Sequence, residues 1–343
     1  MLYSVITTIQ SPTPCVEKLA TRLSGMNGRL IVVGDKKGPD SFTSTNTDWP
    51  VEFLSLDDQN SAGFSITANL PTGHYARKNV AYLHAMHSGA SCIYETDDDN
   101  APNEKFIERQ ETIDSIRRVV APNADQPGDG WVNVYKYFTD DNIWPRGLPL
   151  NEIRTPLPET TPSTSPICAP IQQGLVNGSP DVDAIWRLVM DRPFEFQDKT
   201  SVQLPPGAWC PFNTQSTWWW PIAYPLLYIP SYCSFRMCDI WKSFVAQRCI
   251  WAMGLGIVFH AAEVDQDRNE HDLQKDFMDE VPGYEHNRTI AKILEQLNLS
   301  ADPTDTGRNL KNCYESLVTH GIFPSDELVL VDSWLEDCRL TVS

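Results

Sequence analysis

His74-Tyr75-Ala76-Arg77-Lys78-Asn79-Val80-Ala81-Tyr82-Leu83, followed by Cys92-Ile93-Tyr94-Glu95-Thr96-Asp97-Asp98-Asp99-Asn100, is the stretch on which the fold turns. Its first part has a helical pattern that ends near Gly89. Its second part is a short apolar strand that runs into an acidic cluster. In open α/β sheets ligands bind outside the carboxyl ends of the strands, which is where these aspartates would lie. A basic helix start beside a carboxylate-tipped strand is a seat for a divalent metal and a diphosphate, as an enzyme acting on a nucleotide-sugar needs.

Working outward, residues 1–100 alternate between strand and helix. Strands are predicted at Tyr3–Thr8, Arg29–Gly34, Val51–Leu56 and 92–96, with helices at Pro14–Leu23 and near 75–88. This alternation predicts an α/β fold with a mostly parallel, doubly wound sheet. Asn103–Val119 reads as a further surface helix. Residues 145–170 hold seven prolines among many Ser and Thr, which excludes a core strand or helix there. That segment is either a tethered surface excursion or a loop over the active site. Asp239–Gly254 reads as a helix whose stripe of Trp241, Phe244, Val245, Arg248 and Trp251 packs into the core. Residues 270–300 look helical and charged, and 310–339 look like a helical tail capping the domain.

The chain has 343 residues and is 41% apolar, enough for a substantial core. Its 27 basic against 45 acidic residues leave a net charge of −18, which argues against a nucleic-acid-binding surface. An anionic substrate would meet an unfavourable overall field, so its site must supply local positive charge. The nine cysteines form no CxxC pair, and an odd, irregularly spaced set fits reduced thiols and a cytoplasmic location. The amino terminus reads as a first strand without a leader signal. The longest apolar run, Cys249–Phe259, is too short for the roughly 20 residues of a membrane span. No transmembrane span is expected.

Three consecutive aspartates in isolation usually mark a solvated loop. A calcium loop starting at Asp97 fails, because Ala101 falls at the fifth position and Pro102 replaces the glycine required at the sixth. A nucleotide-sugar site needs only one or two carboxylates with diphosphate oxygens around Mn²⁺ or Mg²⁺, which the cluster can supply. Arg77 and Lys78 either solvate a helix face or bring a fixed cation to a phosphate at the helix start. Thr7-Thr8 and Gly34-Asp35-Lys36-Lys37 would face the same crevice, where Asp35 suits a base or ribose; Gly34-Asp35 equally suits a plain turn. Asp239, at a probable helix start, is either an N-cap or a base for an acceptor hydroxyl.

Eight blocks in order make the pattern specific: Val33-Gly34-Asp35-Lys36-Lys37, Tyr75-Ala76-Arg77-Lys78-Asn79, Glu95–Asn100, Trp144-Pro145-Arg146-Gly147, Gln172-Gln173-Gly174, Pro180-Asp181-Val182-Asp183-Ala184, Pro211-Phe212-Asn213 and Arg236-Met237-Cys238-Asp239-Ile240-Trp241. Together they resemble the STELLO family of glycosyltransferases over roughly residues 1–285. The segments Arg268-Asn269-Glu270-His271-Asp272-Leu273 and Asp279–Tyr284 are similar to soluble members of that group. More distantly the chain resembles plant reversibly glycosylated polypeptides, the UDP-arabinopyranose mutases.

The resemblance implies a glycosyltransferase A-type fold: a Rossmann-like catalytic domain over 1–285 and a C-terminal helical extension over 286–343. It implies that Asp97, Asp98 and Asp99 form the metal-binding acidic motif, with Asp35 and Arg77 near the nucleotide. Thr8, Lys36, Lys37 and Lys78 are the further donor-side candidates. Asp97 and Asp99 would be joined as metal ligands by His271, with His260 the rival histidine. Asp239 would hold the acceptor-side base position. Asp181, Asp183, Asn213 and Trp241 fall in blocks assigned to the sugar and acceptor region. Arg146 is similar to an arginine implicated in self-glycosylation in the mutases, but Leu148 stands where they carry Tyr. A protonated guanidinium is also a poor nucleophile, so phosphate binding suits Arg146 better. The expected activity is metal-dependent transfer of a sugar from a UDP-type donor to a glycan or other hydroxyl acceptor. A nucleotide-sugar mutase or self-glycosylating protein and a non-catalytic nucleotide-sugar-binding scaffold are the alternatives.

Overall fold

Val5, Ile6, Leu30, Ile31, Val32, Val33 and Ile93 are fully buried, the mark of strands covered on both faces, as in parallel sheets with helices on either side. The computed structural model describes residues 1–44, 49–122, 127–190, 192–269 and 271–340. Its first hundred residues give strands β1 (Leu2–Thr7), β2 (Arg29–Val33), β3 (Val51–Leu54), β4 (Cys92–Thr96) and β5 (Asn100–Pro102). Between them come helices α1 (Pro14–Gly25), α2 (Leu56–Ser61) and α3 (Lys78–His87). Thr13 caps α1 by accepting from the Val16 amide, and Pro14 stands at the first turn, where its missing N–H costs nothing. The helix then buries Val16, Leu19, Ala20 and Leu23 against the β1–β2 layer.

The remaining strands are β6 (Thr112–Ile113), β7 (Arg117–Val119), β8 (Thr160–Pro162), β9 (Ile167–Cys168), β10 (Ile171–Asn177), β11 (Val202–Leu204), β12 (Ser216–Trp219) and β13 (Ile257–Gln266). The large sheet runs β3-β2-β1-β4-β12-β10-β13-β11-β7-β8, with β5 pairing β13. The β3-β2-β1-β4 pairings are all parallel. Antiparallel β12 is inserted between β4 and β10, and the parallel pair β10–β13 resumes the first direction. Strands β3, β2, β1, β4, β10 and β13 thus point one way, with β12 reversed among them and β11, β7 and β5 reversed beyond β13. This is the mixed α/β, mostly parallel Rossmann-like architecture expected from the alternation.

One local expectation is corrected and one pair of alternatives is decided. Asn103–Val119 is not a helix. It runs irregularly to β6, which joins β9 in a small ribbon, and to β7 in the large sheet. Phe106 is pulled into an aromatic cluster with Tyr94 and Trp218, and Arg109 is held by Glu263 at 2.6 Å, so tertiary contacts override helical propensity. Residues 145–170 hold two short strands, one of them β8 at the sheet edge, where Pro162 removes no needed ladder bond. Only Arg146 of that segment lines the cleft described below, so the proline-rich stretch is mainly a surface excursion.

Helices α4 (Ala184–Met190), α5 (Cys238–Ala252), α6 (Leu273–Glu295), α7 (Thr306–Thr319) and α8 (Asp326–Leu340) complete the chain. Helix α6 runs unbroken through residue 285, where the catalytic domain was expected to end. Leu310, Tyr314, Leu330 and Trp334 of α7 and α8 belong to the same core as Val5 and Ile93. Asp337 accepts from the Ser65 and Ile66 amides at 2.7 and 2.9 Å, and Glu327 accepts from the Ser231 and Tyr232 amides. No helix among the described residues is long and apolar enough to cross a membrane.

Candidate functional site

A cleft of about 640 Å³ opens where β1, β2, β4 and β13 end. Thr7–Gln10 come from the end of β1 and the loop after it, Asp35 and Lys37 from the loop after β2, Asp97–Asp99 from the end of β4, and Gln266, Arg268, Asn269 and His271 from the end of β13 and beyond. This is the carboxyl edge of the parallel strands, where open α/β sheets place ligands. Arg146, Asp181 and Arg187 line the cleft, as do Phe235, Arg236 and Asp239.

Asp97 Oδ1 accepts from the Tyr75 hydroxyl at 2.5 Å and from Lys78 Nζ at 3.2 Å. Lys78 is fully buried and also donates to the Thr96 carbonyl, so it orients Asp97 from behind the cleft wall. Asp98 accepts from the Thr8 hydroxyl, and burial raises its pKa against that bond. Asp99 Oδ2 accepts from Gln266 Nε2 at 3.0 Å, whereas its Oδ1 is buried with no hydrogen-bond partner. Burial, then the charges of Asp97 and Asp98, push Asp99 up to about 7. An orphaned buried oxygen flanked by two further carboxylates is costly without a cation and fits one well.

Among the described residues no group of three or more His, Cys, Asp or Glu side chains stands ready to hold a metal by itself. The Asp97, Asp99 and His271 set expected from the sequence is therefore not assembled as a ready site, and a Mn²⁺ or Mg²⁺ ion there would need substrate oxygens to complete its shell. His271 lines the cleft, and its Nδ1 lies 3.1 Å from Asp276 Oδ2. A carboxylate on one ring nitrogen is the usual support for a histidine that ligates through the other. His260 is excluded as a ligand. It lies buried outside the cleft with Nδ1 on Ser201 at 2.6 Å and Nε2 on Gln172 at 2.9 Å, and burial holds it well below the usual histidine range.

The donor-side candidates separate. Thr8, Asp35 and Lys37 line the cleft. Asp35 accepts from the Gly73 and His74 amides at 2.8 and 3.0 Å, which fixes the turn leading to Tyr75. Lys37 makes no ion pair among the described residues. Lys36 is exposed and lies off the cleft, its amide donating to Asp35. Arg77 does not line the cleft: it is 1% exposed and donates from Nε and Nη2 to Gln59 Oε1, with cleft residue Asp35 near enough to act on its charge.

On the opposite wall Arg146 is the keystone. Its Nε and Nη2 reach Asp181 at 2.7 and 2.9 Å, and its Nη1 and Nη2 reach Asp239 at 2.9 and 2.7 Å. Burial would raise the Asp181 pKa, but the Arg146 charge overrides it and holds the carboxyl low. A guanidinium already donating to two carboxylates is neither a free phosphate clamp nor a nucleophile. Asp183, Asn213 and Trp241 lie outside the cleft. Asp183 caps α4 through the Trp186 amide and accepts from Trp144 Nε1, and burial raises it to about 6. Asn213 accepts from Gln173, and Trp241 is 3% exposed, donating to Asn287.

Several cleft residues escaped sequence reasoning. Tyr75 and Thr214 share a hydrogen bond 2.6 Å long beside Asp97. Phe235 stands 53% exposed on the rim, edge-on to the His74 and Tyr75 rings. Arg187, Arg236 and Arg268 gather near Asp181. Arg268 lay in a quoted segment without being singled out; in that segment Glu270 is outside the described residues.

Residues 236–342 match the model of the STELLO glycosyltransferases, beginning at the arginine before Asp239. The chain is 28% identical over 267 residues to an Arabidopsis thaliana protein named probable glycosyltransferase STELLO1, covering 73% of this chain and 33% of the relative. It is 29% identical over 227 residues to probable glycosyltransferase STELLO2 of the same plant, covering 61% of this chain and 30% of the relative. The match thus spans about a third of the length of these curated relatives.

Proposed function

We propose that this chain, similar to the STELLO glycosyltransferases, transfers a sugar from a nucleoside-diphosphate donor, of the UDP type, to a hydroxyl acceptor. The observation that carries this reading is Asp99: a carboxylate with one buried oxygen unpaired, beside Asp97 and Asp98, in a cleft at the strand ends. Asp97, Asp99 and His271 would hold Mn²⁺ or Mg²⁺. Such an ion, when bound, offsets the charge that grows on a departing diphosphate.

The chain's own groups do the rest. Tyr75 and Lys78 set the Asp97 carboxylate, and Thr8 sets that of Asp98. Lys37 supplies local positive charge to an otherwise acidic molecule, which a nucleotide needs on approach. Asp239, which lines the cleft with its carboxylate held by Arg146, would orient the incoming hydroxyl and receive its proton.

Isothermal titration of UDP with and without Mn²⁺, followed by UDP release from UDP-sugars, tests the proposal. Binding that requires the metal is expected, with Asp99→Ala abolishing metal-dependent release. Full release by that variant, or UDP binding indifferent to the metal, refutes it.

A further inference from the structure

Arg187, Arg236 and Arg268 line the same cleft, and among the described residues only Arg236 and Arg268 have a carboxylate of their own. Arg236 donates to Glu280 Oε1 from Nε and Nη2 at 3.1 and 2.8 Å, and Arg268 Nη2 reaches Asp276 Oδ2 at 3.0 Å. Arg187 sits on α4, 8% exposed, with one hydrogen bond, from Nη2 to the Pro180 carbonyl at 2.6 Å. Its Nε is buried without an acceptor, and among the described residues it makes no ion pair.

The charges around Arg187 sharpen the imbalance. Burial depresses its pKa to about 10, assisted by Arg268 and Arg236 and opposed by Asp181. It therefore remains a cation at neutral pH. Asp181, the nearby carboxylate, already accepts two bonds from Arg146. A buried guanidinium with free donors and a preoccupied counter-ion is a costly arrangement that an arriving oxyanion relieves. Its planar fork suits a carboxylate or phosphate.

We infer that Arg187, flanked by Arg236 and Arg268, forms a second oxyanion subsite, taking a carboxylate or phosphate that the substrate carries in addition to its diphosphate. The inference deepens the transferase reading and rests on it: the donor sugar or the acceptor is an acidic sugar, uronate-bearing or phosphorylated.

The test titrates inorganic phosphate and glucuronate into the protein, both free and saturated with UDP and Mn²⁺. Saturable binding that persists beside UDP is expected. Arg187→Met should weaken it about tenfold or more, with a much smaller effect on UDP. Arg187→Lys should recover part of the loss, and circular dichroism confirms that the variants are folded. Arg268→Gln, at a more exposed position, provides a second variant expected to weaken the same probes severalfold. UDP-glucuronate against UDP-glucose separates the sources. A penalty from Arg187→Met confined to UDP-glucuronate puts the acid on the donor, and equal affinities with probe binding still lost put it on the acceptor. Absence of any second-anion binding, or equal losses of UDP and probe affinity in Arg187→Met, overturns the inference. If UDP fails to bind while the probes still bind through Arg187, the transferase reading falls and the subsite stands.

Discussion

Both carboxylate oxygens of Asp239 accept hydrogen bonds from the Arg146 guanidinium, at 2.9 and 2.7 Å, in a pair that is almost fully buried. Removing the arginine would leave Asp239 and Asp181 uncompensated. Arg146→Ala should therefore cost about 3–5 kcal/mol of stability, read by urea unfolding. Arg146→Lys should fold better yet still lose transfer, because an ammonium cannot span two carboxylates. Unchanged transfer in Arg146→Lys would show that the double bridge does not matter to the reaction.

Asp239 itself is tested by Asp239→Asn. The amide keeps most of the shape but cannot take a proton. Donor hydrolysis should persist while transfer to an acceptor falls by about 100-fold or more. Full transfer would remove Asp239 from the base role.

Asp99 ties stability to pH with a definite sign. Its folded pKa of about 7 lies above the ordinary value of 3.8, so between those limits the folded state binds the extra proton. The metal-free protein should lose stability as pH rises from about 4 to about 7. Asp99→Asn should flatten that slope and raise the melting temperature above pH 7 while abolishing metal-dependent UDP binding. A melting temperature equally pH-dependent in the variant would contradict this account.

Lys242 and Glu95 form a buried pair at 2.8 Å beneath the acidic motif, with Trp219 also donating to Glu95 at 2.7 Å. Lys242→Met should destabilise by about 3–5 kcal/mol, and adding Glu95→Gln should recover much of that loss. A double-mutant cycle in guanidinium chloride measures the coupling; simple additivity would show that the pair is energetically idle.

Phe235 presents an exposed ring at the mouth of the cleft. Phe235→Ala should weaken UDP-sugar binding by about three- to tenfold with little change in melting temperature, as expected for lost aromatic contact. Calorimetry reads the first effect and thermal unfolding the second.

The amino-terminal half of the sheet was legible because parallel strands buried on both faces read as apolar runs, and Leu30–Val33 is such a run. The position of Asp97–Asp99 was legible because the apolar run Cys92-Ile93-Tyr94 feeds a strand straight into them, which puts them at its carboxyl end. Arg77 was not. Its destination depends on Gln59 and Leu70, which belong to other elements, and a basic residue at a helix start looks the same whether it points to solvent, phosphate or core. Asp183, Asn213 and Trp241 sit in blocks that mix cleft residues with caps and core, and position in a block does not tell these apart. Arg187 was hidden for another reason. Only the folded chain reveals that, among the described residues, it makes no ion pair and that nearby Asp181 is taken up by Arg146.

The grip of Glu327 on the amides of Ser231 and Tyr232 has a consequence for how the cleft keeps its shape. Those residues lead into the turn that carries Phe235, Arg236 and Asp239, so α8 braces the wall opposite the acidic motif through the core. Loosening α8 would unsettle that wall while leaving the strand end that carries Asp97–Asp99 in place.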